Sequence, residues 1–249
     1  MTRDDLAERA APRQQPAARP LLPPAARRPA VAVLAVCAAI IAVLGTWFAG
    51  QHRPSWLDTV IDSRVESALA GHAALLSDVA KLGSPVPMIV LTAVMILACL
   101  LTRRWRGALF ALIAIPLAEA VTGLALKPLI GRTLHGYYSF PSGHTTGVFA
   151  LAAALAVLLT GPLRPRLPAA VRLLAVLAAV LAASATALAM VGMGAHYFTD
   201  TVGGVAVAVG SVLATALAVD RFLPPDAQRK SVSAPIGSSE SSSLRRVWR

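Results

Sequence analysis

The sequence predicts an all-α, polytopic membrane protein, a bundle of six transmembrane helices with an amphipathic helical segment on its outer surface. Three observations predict it. Hydrophobic residues make up 56% of the 249 residues and charged ones only 14%, against about 25% charged in an ordinary soluble domain. The apolar residues gather in six blocks, at about 31–49, 86–102, 108–126, 144–161, 171–193 and 201–219, each near the roughly 17–25 residues a spanning helix needs. Finally, the basic residues sort by side. With both tails inside, 18 of the 23 Lys and Arg are cytoplasmic, and Arg53, Arg64, Lys81, Lys127 and Arg132 are outside, as the positive-inside rule requires.

Residues 1–29 are rich in Pro, Ala and Arg, residues 223–249 in Ser, and neither stretch has a hydrophobic period. Both read as disordered cytoplasmic tails around a membrane domain at 30–222. The first span lies behind a long basic tail and lacks a convincing A-x-A cleavage site, so it reads as an uncleaved anchor. Arg103, Trp105 and Arg106, between the second and third spans, read as interfacial anchors. Cys37 and Cys99 fall inside apolar blocks and read as small buried hydrophobes. Between the first two spans, Trp56, Leu57, Val60, Ile61, Val65, Leu69, Leu75 and Val79 recur at helical spacing among Asp58, Asp62, Arg64, Glu66 and Asp78. That pattern fits one or two helices lying on the membrane surface, or a packed cap over the bundle. Gly203, Gly204 and Gly210 suit close helix packing in the sixth span.

The net charge of +11 does not make this a nucleic-acid binder. Its cations sit in tails and short loops rather than on one face with stacking aromatics.

The topology puts all five histidines on the outer side, and two of them stand in informative company. The run Ser139–Thr146 reads SFPSGHTT, and His196–Asp200 reads HYFTD. An ionisable group beside a membrane span is costly unless it is solvated, paired or used. His196 and Asp200, at i and i+4, share one face of a helix that begins there. A carboxylate on one imidazole nitrogen fixes the tautomer and leaves the other free to attack. His144 can protonate a leaving alkoxide. Lys127 and Arg132 supply cations for a phosphate, Ser142 a hydroxyl, and Gly143 an amide at a helix N-terminus, a natural anion seat. The plainer alternative for Ser142 is a helix cap. A zinc site built from His144, His196 and Asp200 is a rival, which Lys127 and Arg132 would oppose. Glu119, inside the third span, reads as a structural carboxylate facing a neighbouring helix, and His52 and His72 as surface residues.

These residues resemble the motifs of the type 2 phosphatidic acid phosphatase superfamily, K-x6-R-P, P-S-G-H and S-R-x5-H-x3-D, over roughly residues 55–220. Pro141, Ser142, Gly143 and His144 match the second motif in full, His196 and Asp200 the end of the third, and Lys127 the start of the first. The resemblance implies a six-helix bundle, a phosphohistidine intermediate on His196, a general acid at His144, and no metal or other cofactor. It implies a lipid phosphate as substrate: a phosphomonoester or diphosphate such as a polyprenyl diphosphate or phosphatidic acid. Hydrolysis is expected at the outer face of the plasma membrane.

Two departures qualify the match. Leu134 and His135 stand where the first motif has Arg-Pro, with Arg132 two residues earlier; Ala189 and Met190 stand where the third has Ser-Arg. A charge-assisted hydrogen bond contributes about 1.5–3 kcal/mol, and each 1.4 kcal/mol lost only in the transition state is about tenfold in rate. The alternative to an active phosphatase is therefore a catalytically weakened member that binds or transports a lipid phosphate. Peroxidase chemistry on bound vanadate, which haloperoxidases perform with a similar constellation, fits poorly with the membrane spans and missing arginine.

Overall fold

A computed structural model describes residues 20–160 and 167–223. Of the expected tails, 1–29 and 223–249, residues 1–19 and 224–249 lie outside the described residues, as do the loop arginines Arg164 and Arg166. Nine helices run in order among them: α1 (Pro24–Phe48), α2 (Trp56–Leu69), α3 (Ala73–Ala80), α4 (Pro85–Leu101), α5 (Trp105–Ala120), α6 (Lys127–Ile130), α7 (Gly143–Thr160), α8 (Ala169–Gly192) and α9 (Phe198–Phe222). Five stretches are long and apolar enough to cross a membrane: α1, α5 continued through α6, α7, α8 and α9. The 17-residue α4 makes a sixth if counted with the segment Ala73–Gly83, against which it bends by 49°. All six expected spans are therefore helices.

Local sequence sets many of the ends. Pro24 and Pro85 open α1 and α4, where a missing N–H costs nothing. Ser55 and Asp58 form a capping box at the start of α2, each satisfying an otherwise unpaired amide. Gly131 closes α6 with φ 68°, the left-handed conformation suited to glycine after a helix.

The core runs along α9, the most buried span, which packs on α7, α1 and α5. Phe110, Ala114 and Ala118 of α5 meet Ala150 and Ala154 of α7 and Ala208, Val212 and Ala216 of α9. Small side chains at i and i+4 let the backbones approach, the usual solution where lipid offers no hydrophobic drive between helices. A Cβ on Gly204 would lie 2.8 Å from the Ser142 carbonyl oxygen, and one on Gly203 2.6 Å from the Phe140 ring, so glycine is required at both. Large apolar side chains such as Ile89, Leu97, Leu101, Leu174 and Leu181 point outward, as expected for faces that meet lipid.

The two ends of the bundle differ. At one end, Arg104 donates to the Leu158 carbonyl at 2.8 Å and Arg172 to that of Leu159 at 3.2 Å. Cations there complement the C-terminal dipole of α7. Arg106 departs from the expected interfacial anchor: it is buried and paired with Asp220 at 2.8 Å. Asp220 also accepts from the amides of Leu21 and Leu22, at 2.8 and 2.9 Å. The chain is consequently packed from at least Leu21, and α1 begins at Pro24, ahead of the expected boundary at residue 30. Asp220 is what draws this stretch in.

At the other end, α2 and α3 form a cap that packs on α8, with α2 also touching α9. A two-stranded hairpin, β1 (Thr133–Leu134) and β2 (Tyr137–Tyr138), is the small non-helical element. Its turn, His135 and Gly136, has φ of 51° and 83°, the twist that suits a two-residue hairpin.

Candidate active site

The capped end collects the candidate site residues Lys127, Arg132, Ser142, Gly143, His144, His196 and Asp200. In the span formed by α5 and α6, six residues of π-helix, Val121–Leu126, intervene before Lys127. Such widened turns recur at functional sites. The Lys127 ammonium donates to the Tyr138 carbonyl of the hairpin at 3.1 Å and lies within electrostatic range of Asp200 and Glu119.

Ser142 caps α7. Its Oγ accepts from the Thr145 hydroxyl at 3.1 Å and more weakly from the Thr145 amide at 3.5 Å, and its own amide donates to the Asp200 carbonyl at 3.0 Å. The helix cap and the seam between α7 and α9 are therefore one device. In those two bonds the hydroxyl is the acceptor, which leaves its proton for another partner. Gly143 and His144 are half-buried in the first turn, where amides have no carbonyl one turn back. His144 lies within electrostatic range of His196 and Lys127. Gly83 sits under it, so close that a Cβ there would come within 2.9 Å of the His144 Cβ.

His196 is buried just before α9. Its Nδ1 lies 3.5 Å from Asp200 Oδ2, within ion-pair distance once the ring is protonated, and has no hydrogen-bond partner among the described residues. Asp200 is fully buried, with Oδ2 also accepting from the Tyr197 amide at 3.1 Å and Oδ1 from Arg132 at 2.6 Å.

Arg132 is placed otherwise than the sequence suggested. It reaches the site but is 0% exposed, with Nη1 on Asp200 and on Thr199 Oγ1 at 2.7 Å and Nη2 on Asp58 Oδ2 at 2.7 Å. Its guanidinium carbon stands 3.8 Å from the centre of the Phe48 ring and 4.3 Å from that of Tyr197. The guanidinium is thus held by two carboxylates between two rings, with Nε left without a hydrogen-bond partner among the described residues.

Asp58 is the residue that sequence reasoning missed. Besides Arg132 it accepts from the Thr199 amide and hydroxyl at 2.9 and 2.8 Å, and from the Ser55 amide and hydroxyl at 3.0 and 2.8 Å. Burial alone would raise its pKa, but these hydrogen bonds from Thr199 and Ser55 outweigh burial and hold it below the ordinary value. One turn on, Asp62 accepts from the Phe198 amide at 3.0 Å. Burial, reinforced by the negative charges of Asp58, Glu66 and Asp200, pushes Asp62 up to about 6. The S-x-x-D spelling of the Ser55–Asp58 box was a visible signal for the helix start, though not for the carboxylate's partner.

Glu119 reaches across to α7. A Cβ on Gly147 would fall 2.5 Å from its Oε1, and one on Gly143 3.9 Å from its Oε2, so it faces the neighbouring helix as expected. Met190, at the position of the missing arginine, is buried against Leu76, Ala80 and Ala189, while its carbonyl accepts from the amides of Ala195 and His196. His52 and His72 are exposed, and His52 Nδ1 meets the Thr133 hydroxyl at 2.6 Å. Among the described residues no three His, Cys, Asp or Glu side chains are grouped to hold a metal ion.

The fold has a counterpart among solved structures. A solved structure, described as the first transmembrane PAP2 type phosphatidylglycerolphosphate phosphatase from Bacillus subtilis, is similar with a TM-score of 0.57 at 16% identity. The match covers 78% of this chain and 96% of that one. At that identity the likeness is one of fold. No curated protein matches the chain. The model of the PAP2 superfamily matches residues 28–223, from about one turn into α1 past the end of α9 and through every site residue described above. This integral membrane protein belongs to the PAP2 superfamily.

Proposed function

We propose that the protein hydrolyses a lipid phosphate at the extracytoplasmic face of the membrane, through a phosphohistidine intermediate and without a metal. The observation that carries this reading is the meeting of three segments at one end of the bundle. His196 sits beside Asp200, with His144 and Lys127 in electrostatic range. In this scheme Lys127, the Ser142 hydroxyl and the amides of Gly143 and His144 hold the phosphate oxygens. His196 Nε2 attacks phosphorus, the bond to the lipid oxygen breaks, and His144 gives that oxygen its proton. Water, deprotonated by His144, then releases phosphate from His196. Asp200 holds Nδ1–H and offsets the imidazolium charge. Candidate substrates are phosphatidic acid, phosphatidylglycerolphosphate and polyprenyl diphosphates.

The second reading, a weakened member that binds or carries a lipid phosphate, is favoured by the thin supply of cations. Met190 replaces one arginine, and Arg132 is committed to Asp58 and Asp200. One experiment separates the two. Purified protein is screened for phosphate release across these lipids with His196→Ala as control, and acid-quenched samples are probed for phosphohistidine. Release and a trapped phosphohistidine, both lost in His196→Ala, support the phosphatase. Tight lipid-phosphate binding without release supports the carrier.

A further inference from the structure

Asp58 comes from α2, in the cap over the bundle, and lies 74 residues before its partner Arg132. Nothing in the reaction scheme uses it, yet it is fully buried and saturated: five donors converge on its two oxygens. Arg132 in turn divides its two terminal nitrogens between Asp58 and Asp200. Two carboxylates share one guanidinium, so this buried triad has a formal charge of minus one.

Stability alone is a poor reason for such a triad. Desolvating buried charges costs several kcal/mol per ion, and replacing an ion pair by apolar residues is often neutral or stabilising. A surplus negative charge is costlier still unless a cation meets it. The side chain at that spot is His196, whose Nδ1 faces the Asp200 oxygen that Arg132 does not hold. With Arg132 alone, Asp200 would be fully offset by the guanidinium and would be a weak acceptor for an imidazole N–H.

We propose that Asp58 is a positioning residue for the His196–Asp200 pair. It acts through Arg132, taking one arm of the guanidinium so that Asp200 keeps its negative charge available to His196. On this view Arg132 is a second positioning residue rather than a phosphate ligand. Phe48 and Tyr197 hold its plane, and Thr199 braces both ends by donating to Asp58 while accepting from Arg132. The inference rests on the reading of His196 as the nucleophile.

The test reads the charge state of His196 without needing turnover. Diethyl pyrocarbonate reacts with neutral imidazole, and modification of the His196 peptide in full-length protein can be followed by mass spectrometry across pH. The charged groups around this imidazole are Asp200, His144 and Lys127, with Arg132, Asp58 and Asp62 behind Asp200. All but the mutated ones are common to every variant, so comparing variants at each pH isolates the mutated charge while Asp62 titrates alike in all of them. Asp58→Asn makes the surroundings more positive, so the midpoint should move down by roughly one pH unit. Arg132→Gln makes them more negative and should move it up by a similar amount. The double variant keeps the wild-type net charge and should return the midpoint toward wild type.

Opposite shifts with recovery in the double variant support the relay. Shifts in the same direction, or none, overturn it, because a merely structural role would loosen the site alike in both. Asp58→Glu keeps the charge if Asp58→Asn folds poorly, and its midpoint should stay near wild type; a shift as large as that of Asp58→Asn also overturns the proposal. Phosphohistidine trapping on the wild type tests the underlying reading separately. Trapping without opposite shifts sinks the relay alone, and opposite shifts without trapping sink the phosphatase reading alone.

Discussion

Gly204 gives the sharpest test of how the two histidines of the proposed mechanism are held together. It lies one turn after Asp200 on α9, about 6 Å along the axis. The Cβ of an alanine there would stand 2.8 Å from the Ser142 carbonyl oxygen and 3.0 Å from Thr145 Cβ. That oxygen cannot step aside, because it accepts from both the amide and the hydroxyl of Thr146, while the Ser142 amide is tied to Asp200. Gly204→Ala must therefore push α7 from α9 by several tenths of an ångström, and His144 from His196 with it. Overpacking of this kind costs about 1–3 kcal/mol, more than the roughly 0.5–1 kcal/mol that alanine regains over glycine in a helix. A misplacement of about 1 Å can cost on the order of a hundredfold in rate, so a shift of this size should lower turnover by about tenfold. Gly210→Ala is the internal control: its Cβ would meet only the side chains of Cys37 and Leu34, at 3.3 and 3.7 Å. A 3.3 Å approach to the Cys37 Cβ asks its neighbour for only a few tenths of an ångström, so this variant should cost clearly less than Gly204→Ala. Thermal unfolding in detergent and phosphate release, measured on both variants, decide the matter. If Gly204→Ala proves as stable and as active as Gly210→Ala, the α7–α9 seam does not set the site.

Three further outcomes are expected. A cysteine at Thr133 should react with an impermeant thiol reagent in intact cells while one at Ala169 should not; the reverse pattern would turn the bundle over. Phosphate release should persist in EDTA, whereas loss restored by zinc or magnesium would favour metal-assisted hydrolysis. Asp62 is raised from 3.8 to about 6, so its protonated form supports the fold below about pH 4 and that support is lost as pH rises to 6. Asp62→Asn, which keeps an acceptor for the Phe198 amide, should melt higher than wild type above pH 6 and equally at pH 4; a constant difference across pH would refute the titration.

What was legible in the sequence was what is local. The spans emerge from apolar blocks because the helices of this bundle turn large side chains such as Leu97 and Leu181 outward, so composition alone marks them. His196 and Asp200 could be paired because four residues in a helix amount to about one turn. The partnership of Asp58 with Arg132 was not legible. The segment 56–80 carries Asp58, Asp62, Glu66 and Asp78 at similar helical spacing, and nothing local says which of them turns inward. For the same reason Arg132 looked like a phosphate ligand: a cation near a histidine motif is ambiguous until its rings and carboxylates are known. Arg106 and Asp220 sit 114 residues apart, each resembling an ordinary charged residue at the end of a span.

The cations left for a substrate bear on which phosphate it carries. Arg132 is offset by Asp58 and Asp200, and Met190 and Leu134 occupy positions where the family motifs have arginine. Among the described residues assigned to the proposed site, the remaining positive charge is Lys127 together with the N-terminus of α7, worth about half a charge. A phosphomonoester, at about −1.5 to −2 near neutral pH, is then nearly matched. A diphosphate brings at least one further negative charge into the neighbourhood of Glu119 and Asp200, with nothing added to meet it. The wild-type protein should accordingly show a higher kcat/KM for a lipid monophosphate than for a diphosphate of the same chain. Leu134 is half-buried in the first strand of the hairpin whose second strand holds Lys127 through the Tyr138 carbonyl, and an arginine there is expected to meet the same anion. Leu134→Arg should raise kcat/KM for the diphosphate by about tenfold, the value of one charge-assisted contact, and for the monophosphate by less. Equal gains on both, or a wild-type preference for the diphosphate, would show that the missing arginines do not set this selectivity.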